Sequence, residues 1–126
     1  MLASAALLAA GCGSEGTSQA RPETVEGTIK TETTVEKGDA AAGKQVFAAQ
    51  GCGSCHAFEP AGSTGNVGPD LTEALQGKDA EFIRQSIVDP NAEIAQGYQP
   101  GIMPQTYGSQ LSDKQLADLV AFLQSK

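Results

Sequence analysis

An all-α domain of three to five helices is predicted for residues 39–126 on three observations. Leu116, Leu119, Val120 and Leu123 recur at i, i+3, i+4 and i+7 behind Ser112-Asp113-Lys114-Gln115, a capping box, with Leu111 and Leu116 spaced as a hydrophobic staple. Two further runs, 40–50 and 80–88, each follow an aspartate that can cap a helix, and they end at Gly51 and before Pro90, where a helix is expected to stop. The stretches between them are rich in Gly, Pro and Ser and show no strand pairs of note.

In chain order, Gly43 and Phe47 are four apart in the first helix and share a face. Next comes Cys52-Gly53-Ser54-Cys55-His56, the CxxCH pattern that attaches a c-type haem. Two intervening residues set both sulfurs on the same edge of one turn, where they can bond the porphyrin vinyl groups, and the next imidazole lies under the iron. A structural zinc ion would usually need four ligands, and the chain has three cysteines and one histidine. A thioredoxin-like CxxC would need a strand before it and a helix after it, whereas residues 57–69 read as loop.

Residues 57–76 are expected to be mostly loop, with a short helix near 72–76 and Leu71 and Leu75 in the core. Phe82, Ile83 and Ile87 form the buried stripe of the 80–88 helix, and 91–108 is an irregular loop containing Met103, Tyr98 and Tyr107. The last helix runs to about residue 124, with Phe122 on its core face. His56 is the only histidine, so a second axial ligand from this chain has to be something else. Methionine opposite histidine is common in haem electron carriers, and of the two methionines Met1 falls in a segment expected to be removed, which leaves Met103.

With these residues in place, the chain from about Gly38 resembles the class I monohaem cytochromes c. Within that group it is most similar to the cytochrome domain of oxidase subunit II and to small bacterial lipoprotein cytochromes. The matching pieces are Gly38-Asp39 with Gly43 and Phe47, the CxxCH, Gly68-Pro69-Asp70-Leu71, Ser86 to Asn91, Gly97-Tyr98, Met103-Pro104 and Leu111-Ser112-Asp113. The resemblance implies the class I cytochrome c fold around one covalent haem c. It also implies that the Gly43 face crosses the last helix at close range, and that the Pro69 carbonyl accepts the His56 Nδ1 hydrogen. Cofactor contacts are thus expected at Cys52, Cys55, His56, Met103 and Pro69, with iron held by His56 and Met103. Tyr98 and Tyr107 are expected to pack or to reach a propionate or the loop backbone.

Residues 1–11 form an apolar run ending in small residues directly before Cys12, which resembles part of a bacterial lipoprotein signal with Cys12 as the lipidated residue. No Lys or Arg precedes the run, which fits a translation start further upstream. Residues 12–38 then comprise the lipidated cysteine and a tether rich in Thr, Glu, Ser and Gly, too poor in large apolar residues to offset its ordering entropy. Such a flexible tether averages roughly 25 to 30 Å end to end and about 90 Å fully extended. The location expected is the outer face of the bacterial cytoplasmic membrane or the periplasm.

The net charge of −7 is spread over tether and domain and contains no basic cluster, which argues against nucleic-acid binding. An electron carrier cycling haem iron between Fe(II) and Fe(III) is therefore the expected function, not an enzyme, and no small-molecule substrate is expected. Its partners by resemblance are redox proteins: a quinol-oxidising complex as donor and a haem-copper oxidase as acceptor. The alternative is an open-site haem enzyme or ligand sensor, which would require an iron that Met103 leaves free.

Overall fold

The computed structural model describes residues 37–125, so Cys12, the 1–11 signal and nearly all of the 12–38 tether lie outside the described residues. The helices are α1 (Ala40–Ala49), α2 (Cys52–Cys55), α3 (Leu71–Ala74), α4 (Ala80–Val88), α5 (Tyr107–Gln110) and α6 (Asp113–Gln124), with two strands, β1 (His56–Phe58) and β2 (Ser63–Asn66). Among the described residues α1, α4 and α6 are the three main helices, and the domain is mostly helical, as the sequence predicts.

The caps form where the sequence puts them. Asp39 Oδ1 accepts from the amides of Ala41 and Ala42 at 2.8 and 3.2 Å, and Asp79 Oδ1 accepts from Phe82 N at 2.8 Å. The Ser112 and Gln115 side chains complete a reciprocal capping box at the start of α6. Each such cap stabilises its helix by about 1 kcal/mol. Leu116, Leu119, Val120, Phe122 and Leu123 are buried, and α1 packs chiefly against this face of α6. Gly43 is the reason the two backbones can touch, because a Cβ built there would lie 1.9 Å from the Asp118 carbonyl oxygen. Gly38 makes the same kind of approach to Ala117.

Phe47, Phe58 and Phe122 meet in the core with ring centroids 5.4 to 5.9 Å apart, two of the three pairs edge to face. Edge-to-face contact places a positive ring edge on a negative face and adds to what burial alone contributes. Ile83 and Ile87 bring α4 into the same cluster, while Phe82 is half-buried with the Lys78 ammonium 4.0 Å above its ring.

The structure differs from the sequence reading at four places. First, β1 and β2 pair antiparallel, Phe58 opposite Ser63, so the loop expected after His56 contains a short ribbon closed by a 3-10 turn over Glu59–Ala61. Strands of three and four residues are too short for an alternating pattern to register, and burial of Phe58 holds them. Second, α3 begins at Leu71, because Asp70 accepts from Thr72 N at 2.8 Å and so caps the turn. Third, Tyr107–Gln110 is helical where irregular loop is expected. Fourth, Asp118 is buried on the α1-facing side of α6, where it accepts from Asp39 N at 2.6 Å and from Lys114 Nζ at 2.5 Å.

Candidate functional site

α2 is a single helical turn, with Ser54 Oγ donating to the Gly51 carbonyl at 2.6 Å and His56 N to the Cys52 carbonyl. Cys52 and Cys55 stand three apart on that turn, both half-buried and not joined as a disulfide, so two thiols are offered on one face. Burial pushes the Cys52 thiol up, as does the neighbouring Cys55, against a smaller lowering by a backbone hydrogen bond.

The imidazole of His56 is held from behind. Nδ1 lies 2.8 Å from the Pro69 carbonyl oxygen, which can only accept, so Nδ1 carries the hydrogen and Nε2 keeps its lone pair for a metal. The amides of Val67 and Gly68 donate to the Cys55 carbonyl at 3.0 and 2.8 Å, which ties the Pro69 segment to the attachment turn. Ser63 Oγ donates to the His56 carbonyl at 2.9 Å, so the ribbon also braces the residue. Gly68 fits flush against the ring, where a Cβ would sit 2.4 Å from His56 Cε1. That role is new to the structure, although a glycine immediately before the carbonyl-bearing proline is the signal that could have suggested it.

Met103 comes from a separate segment, the loop between α4 and α5, where it is half-buried beside the exposed Ile102 and Pro104. Four residues on, Tyr107 is half-buried, and its phenol is pushed up by burial and by the charges Cys52 and Cys55 would carry. Tyr98, by contrast, is 39% exposed. The structure thus brings Cys52, Cys55, His56 and Pro69 into one braced unit and sets Met103 on a second, lighter segment. Cys12 lies outside the described residues.

These residues fit a covalently attached haem. Two adjacent thiols can take the vinyl groups, an imidazole locked in the correct tautomer can take the iron, and a glycine leaves room against that imidazole. Among the described residues no three His, Cys, Asp or Glu side chains gather as a metal cage. A groove of about 880 Å³ lined by Phe58, Leu71, Gln76 and Ser125, among others, includes none of the site residues.

The family model of cytochrome c matches residues 40–126. No curated protein matches the chain.

Proposed function

The chain belongs to the cytochrome c family, whose model covers well over half of it, and from that membership we propose a class I electron carrier with His56 and Met103 as the axial ligands. One covalent haem c on Cys52 and Cys55, followed by His56, is the cofactor of such a domain, and electron transfer between redox proteins is the family's role. Bound haem supplies a one-electron Fe(III)/Fe(II) couple.

The protein's own groups set what that couple can do. His56 presents Nε2 because Nδ1 is committed to Pro69 at 2.8 Å, and this is the observation that carries the proposal. The same bond fixes the ring's tautomer and orientation. Met103 offers a soft thioether that favours the reduced metal and leaves no open position for peroxide or another substrate. With His56 the only histidine in the chain, a distal imidazole for acid-base catalysis is missing.

The proposal extends to attachment and partners on sequence grounds. Cys12 carries a diacylglycerol at the outer face of the cytoplasmic membrane, residues 12–38 act as the tether, and 39–126 move between a quinol-oxidising complex and a terminal haem-copper oxidase. No helix among the described residues is long and apolar enough to cross a membrane, so in this reading the lipid provides the anchor.

The test is Met103→Ala in the exported, haem-loaded protein. The wild type should be low spin, show the weak far-red charge-transfer band of a thioether bound to ferric iron, and bind CO slowly. The variant should lose the band, bind CO rapidly and have a lower potential. Equal CO binding and equal potential in the two proteins would make Met103 a packing residue and favour the open-site reading.

A further inference from the structure

The segment that presents Met103 is held by little burial. Every residue from 95 to 102 is exposed, and only Pro90, at the foot of the loop, is buried before the chain reaches Tyr107. Within the polypeptide itself, what holds the thioether's segment is therefore local bonding. Within the loop, Ala92 N donates to Asp89 O at 3.0 Å and Tyr98 N to Ala95 O at 3.1 Å, but these are three-residue turns that leave the outgoing and returning limbs independent. The Lys78 to Glu93 pair, 3.9 Å apart with both side chains well exposed, adds little.

One bond closes the neck. Asn91 Oδ1 accepts from Gly101 N at 2.9 Å, across ten residues of chain. Among the described residues it is the one hydrogen bond that joins the two limbs. Its placement is specific. Asn91 directly follows the buried Pro90 at the end of α4, and Gly101, at φ +78, makes the turn two residues before Met103. The clasp thus ties the turn before Met103 to the end of α4.

We propose that Asn91 is the positioning residue for Met103, its side-chain carbonyl fixing the Gly101 amide so that the sulfur stays at binding distance from iron. This rests on Met103 as an axial ligand. A side-chain oxygen at position 91 is what the arrangement requires, so aspartate can replace asparagine there and alanine cannot.

The test compares oxidised, haem-loaded wild type, Asn91→Ala, Asn91→Asp and Met103→Ala, titrated with imidazole while the far-red band is followed. Loss of one hydrogen bond makes the loop-open form up to about tenfold more populated, so imidazole should displace Met103 in Asn91→Ala at up to about tenfold lower concentration. Asn91→Asp should titrate like the wild type, and Met103→Ala should have no band at all. A wild type without the band overturns the ligand reading and this inference with it. A wild type with the band and an Asn91→Ala protein that titrates identically overturns the role of Asn91 alone. If Asn91→Ala fails to mature, amide hydrogen exchange in the wild type decides: the Gly101 amide should exchange more slowly than that of exposed Gln99, and equal rates would reject the clasp.

Discussion

In the proposed carrier, residues 52–69 and 89–104 each supply one face of the site, and they are built by opposite means. On the histidine side the Cys55 carbonyl accepts from two amides, Pro69 fixes the imidazole, Ser63 braces the His56 carbonyl, and the ribbon ends on Phe58, which is 2% exposed. On the methionine side the chain is exposed from 95 to 102 and crossed by the single Asn91 clasp. A face held by several of the protein's own bonds opens less readily than one that the chain clasps with a single hydrogen bond. In the proposed carrier, this asymmetry makes Met103 the exchangeable ligand and His56 the permanent one.

The same substitution on the two sides should separate them most strongly. Gly68→Ala would drive a methyl to 2.4 Å from the His56 ring, an overpacking expected to destabilise the holoprotein by about 1 to 3 kcal/mol and to displace the ligand. Gly101→Ala meets no atom within 4 Å but strains a backbone at φ +78, so about 1 to 2 kcal/mol should be lost from the loop while the histidine side is unchanged. Thermal melts give the stabilities, and the haem spectrum reports which ligand is disturbed. Comparable loss of the far-red band alone in both variants would erase the distinction.

A smaller effect concerns the back of the domain. The Asp39 amide, and then the Lys114 ammonium, hold the Asp118 carboxyl below the usual carboxylate range. A depressed folded value means the stabilisation is present above the unfolded value, near pH 4, and is lost as pH falls through the folded one. The stability difference between wild type and Asp118→Asn should therefore be largest above about pH 5 and shrink below about pH 4. Denaturant midpoints across that range measure it, and a constant difference would remove the carboxylate from the account.

Asp118 also shows where sequence reasoning stops. The caps at Asp39, Asp79 and Ser112 were legible because cap and amide lie within three residues of one another. The bond from Asp39 N to Asp118 spans 79 residues, and nothing in the α6 pattern marks Asp118 as the one acidic residue of that helix turned inward. The Cys52, Cys55 and His56 turn was readable for the same local reason, and the Pro69 contact was supplied by family resemblance. The Gly68 cradle and the Asn91 clasp depend on how separate segments meet, which local pattern does not encode. The ribbon after His56 leaves no sequence signal because its strands, of three and four residues, are too short for an alternating pattern to stand out.

The most direct test of the asymmetry is a denaturant titration of oxidised holoprotein followed by two signals, the far-red band of the Met103 bond and the far-UV signal of the helices. The band should disappear first, at a denaturant concentration where α1 and α6 remain intact and His56 still binds the iron. Coincident loss of both signals would mean that the methionine loop is as firmly built as the histidine side, and would contradict the account.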